Sequence, residues 1–237
     1  VVLAVLALVI PLSPTRAQPL PTDPRLITGT LENGLNYIVL RHNNPPGRIH
    51  LWLHISTGSL NETDAQRGIA HFLEHMAFNG SEHFPPGSVV PYFQSLGLSF
   101  GRDQNAFTSL DQTTFQLTLP DARDETIGKA MLFLSDVAAR LTLPPAEIDA
   151  ERQIILEEKR ARSGAQSRVR EFVNARIAPE STYGRRAPIG GRAGSGISGR
   201  LRRICAGLAD GQCDANVTAE RVASSRLDKT EEMALDP

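Results

Sequence analysis

A chain of 237 residues is long enough to bury one substantial core. With 41% hydrophobic and 22% charged residues it has the makeup of a globular protein, which excludes a fibrous or wholly disordered chain. A net charge of −1 gives no reason to expect a large basic footprint, although charge can still be locally uneven, so no nucleic-acid partner is expected.

Residues 1–12 are almost wholly apolar and are followed by Ser13-Pro14-Thr15-Arg16-Ala17-Gln18. The run is too short to cross a bilayer comfortably and ends near a small residue, as the core and cleavage site of a secretory signal do. Residues 1–17 therefore read as part of a signal peptide, cleaved after Ala17. The mature chain is expected to be secreted or periplasmic, without a membrane span. The competing reading is a buried N-terminal strand or helix.

Residues 18–34, rich in Pro, Thr and Asp, read as an extended leader ending in an Asn33-Gly34 turn. Residues 35–42 are strand-like. Residues 48–56 alternate, with Ile49, Leu51, Leu53 and Ile55 on one face and His50, Trp52 and His54 on the other. The spacing predicts that these two strands form a hairpin through Asn43-Asn44-Pro45-Pro46-Gly47. Residues 65–79 switch to helical period, with Ile69, Phe72, Leu73 and Met76 as the apolar stripe.

A short helix is predicted over 89–96 and a strand over 113–119 that buries Phe115, Leu117 and Leu119. A long helix over 121–141 is expected to turn Ile127, Met131, Leu134 and Val137 to the core. Pro144-Pro145 opens the next helix, which runs to about residue 162, and another covers 167–177. The order predicts an α+β fold in which an antiparallel or mixed sheet packs against helices.

From Gly184 onward there is no aromatic residue, and 190–199 is a Gly/Ser/Arg stretch. The chain thus divides into a domain over 18–190 and a weakly structured tail over 191–237. The tail holds the two cysteines, Cys205 and Cys213, whose compartment permits a disulfide. They lack the neighbours of a metal site.

His71-Phe72-Leu73-Glu74-His75 places two histidines at i and i+4 of a helix. Their side chains lie within roughly 40° of one another, one turn apart, so both imidazoles can reach one cation. Glu74 lies on the same side and can take a proton from an attacking water instead. The bland alternative is a pair of polar residues at the edge of an amphipathic helix. A third ligand must come from elsewhere. Glu151 and Glu158, seven residues apart in the Pro145 helix, share one face, with Ile154 and Ile155 expected to point largely to the core. One carboxylate could ligate and the other support it, and helical geometry does not choose between them. A solvated charge face is the alternative for this pair.

Several motifs together resemble the pitrilysin/insulinase metallopeptidases, which include the mitochondrial processing peptidase and many bacterial periplasmic members. They are Gly68-Ile69-Ala70-His71-Phe72-Leu73-Glu74-His75-Met76-Ala77-Phe78-Asn79-Gly80-Ser81, Asn105-Ala106-Phe107-Thr108-Ser109, the segment 151–158, and Tyr183-Gly184-Arg185-Arg186-Ala187-Pro188-Ile189-Gly190. The resemblance covers roughly residues 25–190. It implies one Zn2+ per chain, held by His71, His75 and Glu158, with Glu74 as general base and Glu151 supporting from behind. It also implies that Asn105 and Ala106 lie on a strand edge that holds an extended peptide substrate by main-chain pairing.

Family members bring a second, similarly folded domain, on the same chain or a partner, that closes over the substrate and typically supplies an Arg and a Tyr. After Ile189-Gly190 the family continues with a helix and a strand, where this chain has Gly191-Arg192-Ala193-Gly194-Ser195-Gly196. The resemblance therefore implies that the domain over 18–190 is incomplete, with a truncated or frame-shifted continuation expected. Two functions stay open: a zinc-dependent endopeptidase domain acting on peptides or small unfolded proteins, or a non-catalytic remnant that at most binds zinc.

Overall fold

A computed structural model describes residues 21–189 of the chain. The signal reading of 1–17 and the tail reading of 191–237, with Cys205 and Cys213, lie outside the described residues.

The strands are β1 (Leu26–Thr30), β2 (Asn36–Leu40), β3 (Ile49–Ile55), β4 (Gln104–Thr108) and β5 (Thr113–Leu119). The helices are α1 (Ile69–Met76), α2 (Val89–Ser95), α3 (Asp124–Ala139), α4 (Pro145–Arg162) and α5 (Ala165–Ile177). All strand pairs are antiparallel. The α+β expectation therefore holds, with antiparallel sheets.

The predicted hairpin does not form. β2 pairs with β1, with Ile27 opposite Val39, in a separate two-stranded sheet. The segment expected as a leader thus supplies a strand. β3 pairs with β5 instead, Leu53 opposite Phe115, and β5 also takes β4, Ala106 opposite Phe115, giving the order β3-β5-β4. The physical reason lies in β5. Phe115, Leu117 and Leu119 are all buried, and a strand so deeply covered sits in the middle of a sheet, with a neighbour on each side. β3 alternates as predicted, its odd-numbered residues half-buried and its even-numbered ones exposed.

One core lies between this sheet and the helices α2 and α3, where Phe84, Phe93, Phe115 and Phe133 meet. Of the α3 stripe, Leu134 and Val137 are buried, Ile127 is half-buried, and Met131 is 39% exposed. Ala130 and Phe133 take the buried places on that face. The predicted span of 121–141 shortens at both ends.

A second, smaller core positions the site. Ile69, Phe72 and Met76 of α1 meet Leu143, Ile148 and Ile155. On α4 the residues Ile148, Glu151, Ile155 and Glu158 recur at spacings of three and four, a single stripe in which apolar and acidic side chains alternate. Burying the two isoleucines against α1 therefore brings both carboxylates to face it. Ile154, predicted to share the core, is 54% exposed, because a step of one residue turns it about 100° from Ile155.

Candidate metal centre

α1 is held at its N-terminus before it presents any chemistry. Gly68 adopts φ +92°, a left-handed conformation that glycine enters without strain, and the chain turns there into the helix. The buried Glu62 carboxylate accepts hydrogen bonds from the N–H of Gly68 at 2.8 Å and of Ala70 at 2.9 Å. An anion at this end also complements the helix dipole. Arg186 closes the arrangement, donating to the carbonyl of Glu62 and to Oδ1 of Asp64, both at 2.7 Å.

From that anchored helix, His71 and His75 bring their Nε2 atoms within 3.3 Å of each other. Glu158 of α4 sets Oε2 3.3 Å from Nε2 of His71 and 3.2 Å from Nε2 of His75. The three atoms form a nearly equilateral triangle. Two donors each about 2.0–2.1 Å from a tetrahedral zinc ion lie ~3.3 Å apart, so the triangle has the dimensions of one face of such a site. The Oε2 atom of Glu158 is buried and has no hydrogen-bond partner among the described residues, whereas Oε1 takes Arg162 at 2.6 Å. A buried anionic oxygen facing two imidazoles and bonded to nothing fits a cation.

A second acid is near. Ligand atoms of His71, Glu74 and His75 all lie within 4.8 Å of one another. Glu74 is buried on α1, and its Oε2 accepts a 2.6 Å hydrogen bond from Thr108 Oγ1 on β4. Glu151, also buried, offers Oε1 to Nδ1 of His75 at 2.7 Å and Oε2 to the amide of Asn79 at 2.6 Å.

The protonation states follow from these surroundings. Burial, and then the charge of His75, pull His71 down to about 3, so its ring is neutral at neutral pH. Burial also opposes charge on His75, but the Glu151 hydrogen bond and the surrounding carboxylates outweigh it and raise that ring. Burial lifts the Glu74 carboxyl, and the Thr108 hydrogen bond pulls against this without cancelling it. For Glu151 the order reverses: hydrogen bonds from His75 and Asn79 overcome burial and hold it low. An ionised Glu151 accepts from Nδ1 of His75, so when the ring is neutral its proton stays on Nδ1 and Nε2 is the nitrogen that can face a cation.

The structure thus brings together five residues singled out from the sequence: His71, Glu74, His75, Glu151 and Glu158. Asn105 and Ala106 lie apart on β4, the edge of the three-stranded sheet. Asn105 Oδ1 accepts from the N–H of Ala106 at 2.9 Å. The sequence reading gave no role to Glu62, Asn79, Thr108 or Arg162. For two of them a signal existed: Asn79 follows His75 by four residues and Arg162 follows Glu158 by four, the spacing of side-chain neighbours on a helix.

Residues 37–186 match the insulinase peptidases, peptidase family M16. The chain is 42% identical over 174 residues to "Probable zinc protease PqqL" of Escherichia coli, covering 73% of this chain and 19% of that one. A protein of the same name from Haemophilus influenzae is 37% identical over 171 residues, covering 72% and 18%. The crystal structure of the first half of the periplasmic protease PqqL from E. coli superposes with a TM-score of 0.74 at 39% identity, over 78% of this chain and 40% of that one. The chain therefore spans about a fifth of the length of these two curated relatives (19% and 18%).

Proposed function

The chain belongs to the insulinase peptidases, peptidase family M16, and from that membership we propose that it is the metal-holding, water-activating domain of a zinc-dependent endopeptidase. Its substrates are peptides or small unfolded proteins, met in the periplasm or outside the cell. The observation that carries this reading is the partnerless Oε2 of Glu158, 3.3 and 3.2 Å from the two imidazole nitrogens.

On this reading His71, His75 and Glu158 hold one zinc ion, and Glu151 orients His75 from behind. Glu158 is favoured over Glu74 as ligand because the facing oxygen of Glu158 is free, while Oε2 of Glu74 is engaged by Thr108. A zinc ion bound there supplies Lewis acidity, which eases deprotonation of water and polarises a carbonyl. Glu74 accepts the proton from the attacking water and returns it to the leaving amine. Its raised carboxyl suits that double task, since a base that must also act as an acid works best with a pKa drawn toward neutral. An extended peptide lies along the free edge of β4, with Asn105 and Ala106 beside it, and pairs through its main chain. Catalysis on this reading needs a second homologous domain, in the same polypeptide or a partner, to close over the substrate.

The alternative that the sequence leaves open is zinc binding by this chain without turnover of its own. Elemental analysis and a quenched fluorescent peptide separate the two. One equivalent of zinc with cleavage that a chelator abolishes supports the peptidase domain. One equivalent without chelator-sensitive cleavage supports the second reading, and no zinc removes both.

A further inference from the structure

We propose that Asn79 is a positioning residue of the metal centre, which fixes the carboxylate of Glu151 and through it the ring of His75. This rests on the zinc site proposed above and adds to it a residue with no assigned role.

The side chain of Asn79 stands just past the end of α1, and its own backbone is anchored, its N–H donating to the carbonyl of Met76 at 3.0 Å. From there Nδ2 donates to Oε2 of Glu151 at 2.6 Å, across 72 residues of sequence. The other carboxylate oxygen meets Nδ1 of His75 at 2.7 Å. Glu151 is therefore gripped at both oxygens. That matters because the terminal torsion of a glutamate is broad, with little intrinsic preference, so a single partner leaves the carboxylate plane free to turn. A second bond to the other oxygen defines the plane, and hence the direction in which Oε1 meets the imidazole.

The amide is chemically suited to this place. An ionised carboxylate only accepts, so its partner must donate, and a hydrogen bond to a charged acceptor is among the stronger ones. Asn79 supplies the donor without adding a second negative charge beside Glu151. The two imidazoles are also unequally supported. Among the described residues Nδ1 of His71 is buried with no hydrogen-bond partner, whereas Nδ1 of His75 meets Glu151, so of the two rings only His75 is supported from behind. Disturbing its support is not compensated from the other side.

The test is zinc affinity, measured by competition with a chelator of known strength, for the unsubstituted chain, Asn79→Leu, Glu151→Ala and the double variant. Outer residues of this kind change metal affinity by about 10-fold to 100-fold. Glu151→Ala is expected in that range, and Asn79→Leu, one step further out, at about five-fold to ten-fold. Because Asn79 acts through Glu151, adding Asn79→Leu to Glu151→Ala should change affinity by less than about two-fold, a non-additivity that a merely structural role does not produce. Should Asn79→Leu fail to fold, Asn79→Ser, which draws the donor out of reach, carries the same expectation. Affinity equal to that of the unsubstituted chain, or full multiplication of the two effects, overturns the assignment while leaving the zinc site intact. An unsubstituted chain that takes up no zinc removes the site and Asn79's role together.

Discussion

Thr108 Oγ1 donates to Glu74 Oε2 at 2.6 Å, and this bond fastens the edge strand β4 to the helix α1. The contact joins the strand proposed to hold the substrate to the acid proposed to activate water. Removing the donor leaves a buried carboxylate oxygen short of a partner, which costs about 1–3 kcal/mol. Thr108→Val should therefore lower the stability of the metal-free chain by that amount in urea unfolding. Thr108→Ser, which keeps the hydroxyl, should lose much less. Equal losses for the two variants would show that packing of the methyl group, not the hydrogen bond, matters.

Glu74→Gln separates proton transfer from metal binding. The substitution removes the base but none of the three atoms of the imidazole–carboxylate triangle, so one equivalent of zinc should remain. Peptide hydrolysis, with the closing domain supplied, should fall by about 100-fold to 10,000-fold. Loss of zinc in this variant would make Glu74 a ligand and refute its assignment as the base.

The two carboxylates of α4 should rank differently. Glu151→Gln replaces an ionic partner of His75 by a neutral one and should weaken zinc binding about 10-fold to 100-fold. Glu158→Gln replaces the oxygen that faces both Nε2 atoms and should weaken it more. Isothermal titration with zinc would decide, and the reverse order would exchange the two roles.

How much of this was legible in the sequence depends on how far apart the contacting residues lie. β3 was readable because one of its faces is half-buried and the other wet, which writes an alternation into residues 49–55. β1 and β2 carry no such signal. Ile27, Ile38 and Leu40 are all exposed, so there was no buried face to set a period or a partner, and the hairpin was drawn to the wrong strand. The convergence of His71, Glu74 and His75 follows from a single helical turn. That Glu158 stands nearer both Nε2 atoms than Glu151 does was not readable, since both lie on one stripe of α4. Only the packing of Ile148 and Ile155 against Phe72 and Met76 sets how far along that stripe the histidines fall. Asn79 and Thr108 reach partners 72 and 34 residues away, and no local pattern encodes such contacts.

The clasp at the start of α1 should weaken slightly in acid. Hydrogen bonds from Arg186 and then Arg67 hold the Asp64 carboxyl below its ordinary value of 3.8. A carboxyl whose folded pKa is depressed contributes stability above its unfolded value and loses it as pH falls through the folded one. Asp64 should accordingly contribute fully above its ordinary value of 3.8 and lose that contribution as pH falls from there through its lower folded value, the effect being small because the carboxylate is exposed to solvent. The Arg186 side chain is 8% exposed, and Arg186→Met should cost about 1–3 kcal/mol by leaving the Glu62 carbonyl without its donor. Denaturant midpoints recorded from pH 7 to pH 2 test both statements. An Asp64→Asn chain whose acid-side slope matches the unsubstituted one would show that the clasp does not depend on this ion pair.

The peptide capture proposed for β4 makes a demand on Ala106. Its N–H is taken by the side-chain oxygen of Asn105 at 2.9 Å, so a local acceptor occupies a donor that an incoming strand would use. An extended peptide adding to this edge must displace the Asn105 oxygen and accept from Ala106 itself. Ala106→Pro removes the donor. Proline is tolerated on an edge strand where the N–H is not needed by the ladder, so the sheet and the zinc site should survive. What should change is affinity for an extended peptide, read by fluorescence anisotropy. Loss of one neutral hydrogen bond of about 1 kcal/mol corresponds to roughly a five-fold weakening. Asn105→Ala should act in the opposite sense, because it leaves the Ala106 N–H exposed and removes the competitor. If both variants bind the peptide as the unsubstituted chain does, the peptide does not lie along this edge, and the substrate path over the metal centre must run elsewhere.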